Sequence, residues 1–142
     1  MNYGLSQWII LGLVLIPSVF WDIRYKKISI LPVIGGIVLG LFFSVFRKEK
    51  HLVDLVISLL PGLFLLAASF VSKGCIGSGD GFICVFLGCV LPFKYVVYAT
   101  VTGFMLAAVF GLVLILLKKA GRKTKLPFIP FLSAGVLLWG LV

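Results

Sequence analysis

Acidic side chains are scarce in this 142-residue chain, which has only Asp22, Glu49, Asp54 and Asp80, together with a single histidine, His51. Charged residues of both signs make up 12% of the sequence, whereas 62% is hydrophobic and the mean hydropathy is +1.26. Soluble domains are about 45–50% apolar. The composition therefore excludes an ordinary soluble domain and predicts one membrane-embedded domain over residues 1–142, with the lipid bilayer as its solvent.

Metal ligands and cofactor motifs are equally scarce. Cys75, Cys84 and Cys89 form no C-x-x-C pair, so with one histidine they offer too few closely spaced ligands for a tetrahedral zinc site. An odd number of cysteines also disfavours a disulfide framework, and Cys84 and Cys89 are expected to be small packing residues. There is no Gly-rich nucleotide loop on a βαβ unit. We therefore expect neither a metal nor a cofactor.

What the sequence does have is a series of apolar stretches, most of them long enough to cross ~30 Å of hydrocarbon. They cover residues 3–21, 28–46, 52–71, 82–93, 96–117 and 126–142. The fourth is short, so it either begins earlier, near Ser78, or forms a half-helix. Small residues spaced four apart, such as Gly36 and Gly40 or Gly103 and Ala107, favour close helix packing. The pattern predicts an all-α transmembrane bundle of about six helices.

Thirteen Lys and Arg residues give a net charge of +9, but they lie in short clusters between apolar runs. This layout is typical of membrane loops, so we expect no nucleic-acid partner. If the N-terminus is outside, nine of these residues fall on one side and four on the other, namely Arg47, Lys48, Lys50 and Lys94. The positive-inside rule makes the first side cytoplasmic. It places Asp22 and Asp80 at the cytoplasmic face and Asp54 near the opposite face.

Ionisable residues at membrane depth are candidates for function. Taken singly, Asp22 has an ordinary interpretation as the partner of Arg24 or Lys26, and Asp80 as a helix N-cap within Gly77–Gly81. Taken together, two aspartates at one depth can form a pair that shares a proton, in which one activates water and the other polarises a carbonyl. The glycines around Asp80 would provide a flexible backbone near a substrate strand.

Three stretches together resemble the type IV prepilin peptidase family, which are GxGD-type intramembrane aspartyl proteases of prokaryotic cell membranes. Residues 22–28, Asp-Ile-Arg-Tyr-Lys-Lys-Ile, are similar to the family's Asp-x-Arg-x-x-x-Ile. Residues 77–80, Gly-Ser-Gly-Asp, match its GxGD signature, and residues 126–131, Leu-Pro-Phe-Ile-Pro-Phe, are similar to its Pro-Phe-Gly-Pro element. The three follow in the family's order over nearly the whole chain.

The resemblance implies an aspartic endopeptidase that cleaves the leader peptide of type IV pilin-like precursors at the cytoplasmic face of the cell membrane. Its catalytic residues would be Asp22 and Asp80. The residues that would support them or bind substrate are Arg24, Gly77, Gly79 and Gly81. The chain lacks the cysteine-paired insertion of the family's bifunctional enzymes, which also methylate the new pilin N-terminus. We therefore expect peptidase activity alone.

The sequence departs from the family at three places. Ser29-Ile30 replace the usual Pro-Asn, Phe82 replaces the usual Lys two residues after the second aspartate, and Ile129 replaces the glycine of Pro-Phe-Gly-Pro. Ser29 can still cap the second helix. The lost charge at Phe82 leaves open an inactive relative that serves as a pilus or secretion assembly subunit. A proton-coupled carrier is a further alternative, although the chain shows no repeated halves.

Overall fold

The computed structural model describes residues 5–25, 30–46, 52–72, 77–119 and 127–141. Over these ranges the secondary structure consists of helices, without a strand, which confirms the predicted all-α bundle. The six helices are α1 (Leu5–Tyr25), α2 (Ile30–Phe46), α3 (Leu52–Val71), α4 (Ser78–Val90), α5 (Phe93–Leu116) and α6 (Ile129–Leu141).

Three of these helices, α1, α3 and α5, are long and apolar enough to cross a membrane, whereas α2, α4 and α6 are shorter apolar helices. Many large apolar side chains on the outside of the bundle are exposed, as lipid-facing positions are. At a rise of 1.5 Å per residue, the 13 residues of α4 and of α6 span about 20 Å each. These two helices are therefore shorter than the hydrocarbon thickness of ~30 Å.

The fourth helix begins at Ser78, so the earlier of the two starts considered for it is right and the start at Phe82 is wrong. Gly79 and Gly81 consequently lie inside the first turns of α4, not in the flexible loop that their composition predicts. The physical reason is packing. An added Cβ at Gly81 would lie 2.8 Å from the Leu66 side chain of α3, so glycine here permits close helix approach.

Helix α4 is the centre of the bundle and packs against α1, α2, α3 and α5. Its Ile83, Phe86 and Leu87 side chains are fully buried. The contact with α3 is especially close, because a side chain at Gly88 would collide with the backbone carbonyl of Ser58. Since Gly81 faces the second half of α3 and Gly88 faces its first half, the two helices are antiparallel.

Small residues also bring the other helices together. Gly36 of α2 faces Val14 of α1 and Phe86 of α4, as its spacing predicts, and Gly103 of α5 faces the backbone at Leu132 of α6. Cys84 and Cys89 are buried in the bundle, and neither forms a disulfide within the described part of the chain. Helix α1 packs in turn against α6. The end of α1, the start of α4 and the start of α6 therefore lie at the same end of the bundle.

Candidate active site

Asp22 is a buried carboxylate near the end of α1, with only 6% of its surface exposed. Its Oδ2 accepts a hydrogen bond of 3.1 Å from the backbone N–H of Ile129, the first residue of α6. The interpretation of Asp22 as the ion-pair partner of Arg24 is wrong, because Arg24 is exposed and its guanidinium lies over the Tyr25 ring at 5.9 Å. The other partner considered, Lys26, lies outside the described residues.

Asp80 lies in the first turn of α4, three residues after Gly77. Gly77 is the N-cap residue of this helix, so the interpretation of Asp80 as the N-cap is wrong. The Asp80 backbone N–H donates to the Gly77 carbonyl at 3.1 Å, and the side chain is half-buried. The Asp22 carboxylate is near enough to act electrostatically on the Asp80 carboxyl. Direct packing of α1 on α4 thus brings the two aspartates together.

Asp54, in contrast, is exposed in the first turn of α3. This end of α3 packs beside Gly88 of α4, whereas Gly81, the residue after Asp80, packs beside Leu66 towards the other end of α3. The structure therefore places Asp54 at the opposite end of the bundle from the aspartate pair. It confirms the separation that the order of apolar stretches predicts.

The residues predicted to support the pair have different environments. Gly77 is exposed, and a Cβ there would lie 3.0 Å from Asp80 Oδ2, so glycine lets this carboxylate lie close to the backbone. Gly79 and Gly81 are buried within α4. Arg24 points to the exterior. Gly77 is therefore the one of these residues for which a close approach of the Asp80 carboxylate is evident in the described part of the chain.

Phe82, which occupies the position of a family lysine, is partly buried and packs against the hydrophobic core. This side chain therefore contributes apolar packing at a position where the resemblance predicts a charge near the aspartate pair.

One group of the site, the backbone N–H of Ile129, is missed when only side chains are considered. Residues 126–131 are similar to a family element, but the resemblance predicted no function for them. The two prolines on either side of Phe128-Ile129 were a usable signal, because proline has no N–H and so limits which amides at a helix start can bind a neighbour.

The fold and site define a class of protein: an apolar helical bundle that holds two carboxyl groups together at one end. The model of the type IV leader peptidase family matches residues 9–116, so the chain belongs to this family and is a protease of leader-peptidase type. The matched segment contains Asp22 and Asp80 and ends before residues 126–131. Neither the curated proteins nor the solved structures contain a significant match.

Proposed function

We propose that this protein is an aspartic endopeptidase that removes the leader peptide from type IV pilin-like precursors at the cytoplasmic face of a prokaryotic cell membrane. The observation that carries the proposal is that Asp22 and Asp80 lie at the same end of a bundle from the leader peptidase family, near enough to interact electrostatically. Two carboxyl groups in this relation are the minimum that aspartyl hydrolysis requires.

In the proposed reaction the pair holds one proton between its two carboxyl groups. The ionised carboxylate removes a proton from a water molecule, and the resulting hydroxide adds to the scissile carbonyl carbon. The protonated carboxyl gives its proton to the carbonyl oxygen, so the intermediate is a neutral gem-diol. Transfer of a proton to the peptide nitrogen then breaks the C–N bond and releases a carboxyl and an amine.

The substrate class follows from the family and from where the site lies. By resemblance, a pilin-like precursor carries a short basic leader followed by an apolar helix. That helix would lie in the membrane beside the bundle, which would leave the leader junction at the end where Asp22 and Asp80 meet. We expect cleavage after a small residue, normally glycine, because an extended strand must enter between packed helices near Gly77.

Cleavage of a purified precursor by the purified protein in detergent tests this function. We expect D22N and D80N each to abolish cleavage, because either change removes half of the proton-sharing pair. The matched control is D54N, an identical chemical change at the opposite end of the bundle, which should retain nearly full activity. Full processing by D80N would rule out the aspartyl mechanism.

A second candidate function is that of an inactive relative which serves as a membrane subunit in pilus or secretion assembly. The observation that favours it is Phe82, an apolar packing residue at a position where the family resemblance predicts lysine. Failure of the wild-type protein to cleave any co-encoded pilin-like precursor would favour this function over the peptidase.

A further inference from the structure

Few backbone N–H groups at the start of α6 are available to donate hydrogen bonds to other helices. Pro127 and Pro130 have none. The N–H groups of Phe131 and Leu132 both donate to the Phe128 carbonyl, each at 3.0 Å. The remaining donor in the first turn is the N–H of Ile129, a residue with 0% of its surface exposed, and this N–H reaches across to Asp22 Oδ2 at 3.1 Å.

This hydrogen bond satisfies two buried groups at once. A buried backbone N–H without a partner is unfavourable, and helix N-termini favour negative charge because their free N–H groups point outward. Within the described part of the chain, no other group donates a hydrogen bond to Asp22. One oxygen of Asp22, Oδ2, is therefore held by the start of α6.

We infer that the Ile129 N–H is a positioning group that fixes the Asp22 carboxylate in the orientation needed for hydrolysis. The inference rests on the proposed aspartyl mechanism. It also explains why isoleucine is compatible with a position where the resembling element has glycine, because both residues present the same backbone N–H. The Pro-Phe-Ile-Pro segment acts in this view through its backbone, because the N–H of Ile129 is the group that binds Asp22.

The test removes one N–H group. I129P deletes the donor, and α6 should still begin normally because proline is favoured at the first position of a helix. I129V is the matched control, since valine is close to proline in size and keeps the N–H. We expect I129P to lower kcat on the order of 100-fold through misorientation of Asp22. We expect KM to stay unchanged for I129P, and I129V to retain the kcat of the wild type.

Protein stability tests the hydrogen bond between Ile129 and Asp22 independently of catalysis. In thermal unfolding, D22A and I129P should be strongly non-additive because each removes the same bond, whereas D22A and I129V should be additive. If I129P does not fold, replacement of Ile129 by its α-hydroxy acid exchanges this N–H for an ester oxygen and should reproduce the loss of kcat.

The possible results distinguish a failure of the positioning role from a failure of the proposed peptidase function. An active wild type with equal kcat for I129P and I129V would overturn the positioning role, and so would non-additive unfolding without any loss of kcat. No cleavage by the wild type, or full cleavage by D80N, would instead overturn the proposed function itself.

Discussion

Asp22 and Asp80 are held by different parts of the bundle. Asp22 is fixed from outside its own helix by the Ile129 N–H, whereas Asp80 lies in the first turn of α4 against Gly77. A side chain at Gly77 would displace the Asp80 carboxylate, so this glycine belongs to the site for steric reasons. The site therefore depends on three separate helix ends, and a change in any of the three alters the relation between the carboxyl groups.

Arg24 is two residues from Asp22 but does not take part in its environment, since it is exposed and lies over the Tyr25 ring. We predict that R24A leaves kcat within about threefold of the wild type, because the exposed Arg24 side chain does not pair with Asp22, and surface substitutions change the free energy of unfolding by only roughly 0.5 kcal/mol or less. Steady-state cleavage of a precursor measures this, with R24K as the control that keeps the charge. A loss of kcat comparable to that of D22N would show that Arg24 acts on the reacting atoms.

At the scale of helices, glycine determines how closely α3 and α4 pack. A Cβ at Gly88 would lie 2.9 Å from the carbonyl carbon of Ser58, which is backbone and so unable to move aside as a side chain could. At Gly35 of α2, in contrast, a Cβ would meet nothing within 4 Å. The two glycines therefore provide a buried test position and an exposed control.

We predict that G88A destabilises the protein by about 1–3 kcal/mol, the usual range for overpacking a well-filled interior. G35A should not destabilise it, because the added methyl group enters open space and alanine favours helix over glycine. Unfolding of the two variants in the same detergent measures the difference. If G88A is as stable as G35A, the close contact between α3 and α4 does not hold the bundle together.

The same helices show how far the sequence could predict the structure. Apolar length predicted all six helices, and the order of those stretches placed Asp22 and Asp80 at one end, because alternate helices must run in opposite directions. Composition misplaced Gly79 and Gly81, since a cluster of glycines is typical of loops in water but also of close contacts between membrane helices.

The Ile129 N–H could not be found from side-chain patterns at all. Its role depends on a contact between residues 107 positions apart in the chain, and on a backbone group that every residue except proline possesses. The prolines around it indicate a restricted helix start, but only the packing of α1 on α6 shows which acceptor that start faces.

At the scale of the whole molecule, aromatic rings mark the end opposite the aspartate pair. Tyr98 stacks on Trp139 with ring centroids 4.7 Å apart, and Trp8, Tyr95 and Trp139 line a small pocket there. Tryptophan and tyrosine are enriched at membrane interfaces, so this end is suited to one surface of the bilayer. The aspartate pair then belongs to the other half of the membrane.

Helix α5 extends well past the start of α6. Phe104 of α5 packs on Phe128 with ring centroids 4.6 Å apart, and α5 continues for 12 more residues to Leu116, about 18 Å further. These last turns of α5 carry exposed apolar side chains such as Val109 and Leu116. The pair of carboxyl groups therefore lies within the depth that α5 spans and not beyond its end.

The sidedness of the whole bundle is a prediction from charge. Nine of the thirteen Lys and Arg residues fall on the side of the aspartate pair, and the densest cluster lies within residues 118–125. By the positive-inside rule this side is cytoplasmic, which puts both chain termini outside.

In intact cells, G121C should therefore resist a membrane-impermeant thiol reagent and react only after the membrane is opened. K48C, at a position between α2 and α3 in the sequence, is the matched control and should react in intact cells. Both variants are made with C75S, because Cys75 falls on the same side as position 121 and would add its own signal. Reaction of G121C in intact cells, with K48C protected, would show that the bundle has the opposite orientation. The aspartate pair would then lie on the side away from the cytoplasm, where the proposed leader cleavage could not occur.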